Sequence, residues 1–277
     1  MTSEWFVALS AYGTPQLGTV TGANDFFALR PSQVRSLELK EPEVTRISPP
    51  GTRHLKGLRF TNTDWRSLEA ADERVWLLTL KGQMSQGKPL TSLISEGEKS
   101  KVHLGYKCRI RDPWYVLPPV TKPDLFFTYM SHRFPRLITN VTGAGFLNSM
   151  HGVELSNYRR VGKTTLPLTA MNSLSQLGAE TIGRSYGGGI LKLEPREAGQ
   201  LPVPRPDLLE SLYDACRSRF DNLERTFRGG DWRLVQEFAD EVLLTERVGL
   251  SIRDIERVRA AVEQLRGKRL DRGKTKG

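Results

Sequence analysis

The chain is poor in the residue types that most reaction chemistries require. Its 277 residues include two cysteines, Cys108 and Cys216, and four histidines, His54, His103, His132 and His151. The cysteines stand far apart and no two histidines lie three or four residues apart, so the common zinc spacings are excluded. There is no GxxxxGK[ST] phosphate loop, and neither Ser173 nor Ser185 has a base that the sequence nominates as its partner. No apolar run approaches the roughly 20 residues of a membrane helix. The opening MTSEWFVALSAYG lacks the basic region and apolar stretch of an export signal. These gaps lead us to expect a soluble, cytoplasmic chain with reduced thiols. No membrane partner, metal, cofactor or catalytic centre of its own is expected.

Positive charge is plentiful, and it is unevenly spread. Lys and Arg number 41 against 31 Asp and Glu, a formal net charge of +10. From Arg205 onward sixteen cations face fourteen anions, so residues 1–204 hold +8 of the excess. Such a field favours a polyanionic partner, commonly nucleic acid.

The densest basic and aromatic stretch is GYKCRIRDPWYVLPPV, residues 105–120. As an extended strand, 106–111 would send Tyr106, Cys108 and Ile110 to one face and Lys107, Arg109 and Arg111 to the other. Three cations on one ridge suit phosphate contacts, or an arginine fork to guanine. Trp114 and Tyr115 follow Pro113, where the chain is stiff, and either stack on a displaced base or belong to the core. A glycine run follows Tyr186 and permits close approach of another backbone, protein or DNA, or simply a tight bend. Lys192 in the next strand is a further phosphate candidate. Asn24 and Asn172 read first as turn and helix-start residues.

Along the chain, LGTVTGANDFFAL (17–29) reads as strand, turn, strand, and RVWLLTL (74–80) as a buried strand. A polar loop is expected at 81–89 and a helix over 90–101. DLFFTYM (124–130) and RLITNV (136–141) read as adjacent strands, with another at 147–155. A helix is expected over 165–183, then a strand ending at Pro195. Beyond Pro206 the spacing of Leu208, Leu209, Leu212, Tyr213 and Cys216 fits one helix face. Further helices are expected at 231–248 and 251–266, the latter opened by Ser251 with Asp254 three residues on. The plan is a mixed α/β body over 1–204, a helical segment over 205–270 and a basic disordered tail at 271–277, the fraying beginning near GKRL.

Four ordered segments carry a resemblance. TVTGANDFF (19–27), GYKCRIRDPWYVLPP (105–119), TNVTGAGFLNSMHGV (139–153) and SYGGGILKLEPREAGQLPVP (185–204) together resemble the C-terminal half of adenine-specific N6 DNA methyltransferases. The likeness is to the gamma group, with a TaqI-like or Eco57I-like specificity domain, and it covers residues 17–204. In that family an N-terminal domain binds S-adenosylmethionine and flips adenine, and the C-terminal domain recognises the target. The catalytic half carries an Asn/Asp-Pro-Pro-aromatic motif. Here SPPG (48–51) and LPPV (117–120) lack both the amide or carboxylate before the prolines and the aromatic after them. The resemblance therefore implies a target-recognition domain for double-stranded DNA. Methyl transfer would belong to a separate or missing catalytic domain or subunit holding S-adenosylmethionine, in a restriction-modification setting. An accessory restriction component and a protein-binding remnant are the alternatives.

Overall fold

The computed structural model describes residues 4–80 and 88–274. Residues 81–87 of the expected polar loop lie outside that range. The architecture is mixed α/β, built on several small sheets with helices packed around them.

The largest sheet has five strands in the order Gln16–Leu17, His151–Val153, Leu125–Phe127, Leu137–Asn140 and Arg59–Phe60. Leu125–Phe127 and Leu137–Asn140 pair antiparallel, with Phe126 opposite Ile138, as the sequence reading places them. Both strands are buried throughout, which explains the unbroken apolar run of Leu125–Phe127; in the other strand the buried Thr139 and Asn140 side chains donate to backbone carbonyls. The edge strand Arg59–Phe60 joins in parallel. A second sheet orders Ala28–Leu29, Trp76–Leu78 and Val44–Arg46. A third joins the hairpin Arg184–Tyr186/Ile190–Lys192 to Met130–Ser131.

The expected helix before the basic stretch is present at Lys88–Lys99. Several local expectations are corrected. The second arm of 17–29 is a short helix, Asn24–Phe27, followed by the two-residue strand Ala28–Leu29. Thr21 sets that turn: its hydroxyl accepts from the Ala23 N–H and donates to the Asn24 side chain. Only His151–Val153 of 147–155 is strand. The helix expected over 165–183 is two helices, Arg159–Thr169 and Ser173–Ile182. Asn172 breaks them by capping the second, its side chain accepting from the Ser175 N–H. The helix at 231–248 is α-helical over Trp232–Ala239 and becomes a π-helix over Asp240–Thr245.

Beyond Pro206 the chain is helical, and these helices share an apolar cluster with the body. Leu208, Leu212, Cys216, Phe220, Val235 and Leu243 cluster with Phe6, Leu58, Phe134 and Leu168. Burial in this cluster pushes the Cys216 thiol up to about 12. Ser251 caps the last helix as expected, accepting from the Asp254 N–H at 3.2 Å. That helix, Ile252–Lys274, takes in residues 267–274 of the stretch read as a frayed tail. Its end is held by Arg269, which pairs with Glu180 at 2.9 and 2.7 Å and donates to the Gly189 carbonyl.

Candidate nucleic-acid interface

The stretch 105–111 is not a strand. A 3-10 turn, Val102–Leu104, leads into a one-turn helix, Tyr106–Arg109, whose Cys108 and Arg109 N–H groups both donate to the Gly105 carbonyl. Alternation would put Cys108 and Ile110 on one face; instead Cys108 is buried and Ile110 is 61% exposed. A single turn centred on one buried residue carries no period to distinguish helix from strand.

Two side chains fasten this turn to the TGAND loop. Cys108 packs against Thr21, and burial raises its thiol pKa despite the nearby Arg111 cation. Arg111 donates to the carbonyls of Thr21 at 2.7 Å and Val20 at 2.5 Å. The approach is close enough that a Cβ on Gly22 would sit 2.7 Å from the Lys107 Cβ, and Gly22 has φ +84. Glycine is therefore required there both for space and for conformation. Trp114 continues the anchor: its ring lies 5.2 Å from Phe26, and its Nε1 donates to Glu98 at 3.3 Å. Tyr115 packs in the same apolar cluster and meets Trp114 edge to face.

The sequence-nominated residues therefore divide. Arg111, Trp114 and Tyr115 position the turn. Lys107 and Arg109 are exposed, lie 5.3 and 5.9 Å from the Tyr106 ring, and form no ion pair among the described residues. Tyr106 itself is 63% exposed. It was not among the nominated residues, because the strand reading sent it inward. Also missed were Lys99 and Lys101, exposed cations on the segment leading in. Their signal was legible: from Lys99 to Arg111 there is no Asp or Glu.

The second nominated group is less open. Tyr186 is 55% exposed at the hairpin. Lys192 sits 4.9 Å from its ring and pairs with Glu194 at 2.7 Å, and that hydrogen bond raises the lysine pKa and lowers the carboxyl's. The glycine run is approached by this chain's own last helix: a Cβ on Gly189 would lie 2.9 Å from the Leu270 Cα, and one on Gly273 only 2.3 Å from the Gly189 nitrogen. Those glycines serve helix-to-hairpin packing.

A turn clamped from below, presenting cations and an aromatic, is a geometry suited to phosphate and base contacts. Comparison with known proteins gives the class. The family described as the C-terminal domain of type II methyltransferase M.Eco57I matches residues 2–244, and the chain belongs to that family. Type II methyltransferase M.AccI of Acinetobacter calcoaceticus is 24% identical over 194 residues, 69% of this chain. Type II methyltransferase M.XamI of Xanthomonas campestris pv. amaranthicola is 27% identical over 198 residues, 71% of this chain. The chain covers 35% of the length of each of these two relatives. Among solved structures, the type IIG restriction endonuclease BpuSI aligns over 81% of this chain and 34% of its own. Its identity is 10% and its TM-score 0.32, too low to define a common fold.

Proposed function

We propose that this chain is the sequence-specific DNA-recognition part of an N6-adenine methyltransferase. In this reading a separate or attached catalytic domain binds S-adenosylmethionine and transfers the methyl group to a flipped adenine. The chain supplies the clamp that holds the duplex and reads the site, and the setting is a cytoplasmic restriction-modification system. The observation that carries this reading is the anchored turn: Cys108 and Arg111 spend their polar groups inward, and Lys107 and Arg109 are left exposed and without ion pairs among the described residues. Exposed cations cost little to hold in water and gain on meeting phosphates by releasing counterions. Tyr106 beside them offers a flat face. The family match supplies the methyltransferase context.

The test is selection of the purified chain against a random duplex library at fixed moderate salt, followed by sequencing. Enrichment of a short word is the expected result. Its loss in a Lys107→Glu/Arg109→Glu variant that still folds would place recognition at this turn. Retention of no duplex at all, alone or with a catalytic methyltransferase domain added, would overturn the reading.

A further inference from the structure

A cavity of about 320 Å³ opens between the last helix, the helix Trp232–Ala239 and the Arg133 loop. Four arginines line it, Arg133, Arg233, Arg259 and Arg266, with two carboxylates, Glu237 and Glu263. Most of the acids around it are already engaged. Asp240 accepts from Arg259 at 2.8 and 3.0 Å and from the Ser173 N–H and hydroxyl at 2.6 Å each. Glu180 is taken bidentately by Arg269, and Glu263 accepts from Arg266 Nη1 at 2.6 Å.

What is left over is donor capacity. The Arg266 side chain is only 9% exposed, yet its Nε and Nη2 have no hydrogen-bond partner among the described residues; the Glu180 oxygen stands 3.8 Å from Nε. A buried guanidinium with unmade bonds is costly. Arg133 and Arg233 form no ion pair among the described residues, and their guanidinium carbons lie 4.5 and 5.5 Å from the Trp232 ring. That ring is engaged by cations, so it is a poor platform for a nucleobase. These donors match a compact group with several acceptor oxygens.

We propose that this cavity is a phosphate-binding site, with Arg133, Arg233 and Arg266 as its donors. It uses residues distinct from the turn at 106–111, so its failure would leave the proposed function standing. The phosphate group has two conceivable sources, a DNA backbone diester and a free nucleotide.

The test is thermal unfolding of the full chain with inorganic phosphate, titrated against chloride at constant ionic strength. Tm should rise saturably, by about 5 °C at a hundredfold excess over Kd. Both Arg133 and Arg233 are exposed, so an Arg133→Gln/Arg233→Gln variant should fold and lose most of that rise. Phosphate also stabilises proteins generally by exclusion from their surface, and the variant registers that background. No saturable rise in the wild type, or an equal rise in the variant, overturns the site. The source is read in a second pair of measurements. If the ligand is backbone phosphate, the variant lowers the salt slope of duplex binding by about one. If it is a nucleotide, adenosine 5′-monophosphate raises Tm more than phosphate does and the salt slope is unchanged.

Discussion

The segment Lys99–Arg111 and the helical segment beyond Arg205 both carry many cations, and they use them in opposite ways. In the first, no acid interrupts the run, and Lys107 and Arg109 stand exposed without ion pairs among the described residues. In the second, several arginines are drawn onto acids, some of them far away in sequence. Arg228 donates to Glu224 and to both oxygens of Asp64, 164 residues away, and to the Arg59 carbonyl. Glu224 in turn accepts from the Leu58 N–H at 2.6 Å. Arg269 binds Glu180, and Arg259 binds Asp240. A cation's partners, rather than its count, decide whether it serves the surface or the fold. Buried pairs of this kind contribute little net stability when intact, but breaking one strands a charge.

That contrast can be broken most forcefully at Arg228. Arg228→Met removes the shared donor from Glu224 and Asp64, whose burial favours protonation and whose hydrogen bonds from Arg228 and Thr61 outweigh it to hold the Asp64 carboxyl below its usual range. Arg228 and Asp64 are partly exposed and Glu224 is buried, so urea unfolding should show a loss of about 2–3 kcal/mol, less than for a fully buried pair. A loss below about 1 kcal/mol would mean that this joint is not holding the helices to the body. At the other pole, Lys107→Glu/Arg109→Glu should leave unfolding unchanged within about 0.5 kcal/mol. It should weaken duplex binding on the order of 100-fold and flatten the salt slope by about two.

Arg111→Ala sharpens the division inside one short stretch. It leaves the half-buried Val20 carbonyl unpaired and the Thr21 carbonyl with only the Cys108 thiol, and should cost about 1 kcal/mol of stability, with a smaller effect on the salt slope than the Lys107/Arg109 pair. An effect confined to DNA binding would return Arg111 to the contact surface. A pH-dependent effect comes from His54, whose ring nitrogen shares a 2.6 Å hydrogen bond with the buried Ser48. Burial lowers its pKa to about 4, against 6.5 when unperturbed. The unfolded chain therefore takes up the proton first, and the stability from this residue is complete above pH 6.5 and lost as pH falls toward 4. The slope should approach about 1.4 kcal/mol per pH unit within that window. In His54→Gln the slope from pH 6.5 to 5 should flatten; an unchanged slope would assign it to other groups.

Much of the fold was legible because its signals are local. The paired strands at 125–127 and 137–140, the buried strand at 76–78 and the Ser251 cap follow from apolar runs and capping chemistry within a few residues. The misreadings came where a distant contact overrode local pattern. The turn at 106–109 takes its shape from Gly22 and Thr21, some 85 residues earlier, which receive Cys108 and Arg111. Residues 268–274 are helical because Arg269 reaches Glu180 and Gly273 meets the hairpin glycines. The candidate surface was half legible: Lys107 and Arg109 were named, whereas Tyr106 was assigned inward by a false alternation.

The sequence alone determined the class of chain. Ordered motifs such as TGAND and SYGGG mark the family of type II methyltransferase C-terminal domains, and an acid-free run of basic residues marks where cations lack a local partner. Only the tertiary structure decided which cations remain available. Charge pairing joins residues separated by up to 164 positions, as between Asp64 and Arg228, and one-dimensional order does not specify which acid each arginine meets. A guanidinium buried against a carbonyl or carboxylate has spent its donors on the fold, and one left in water keeps them for a partner.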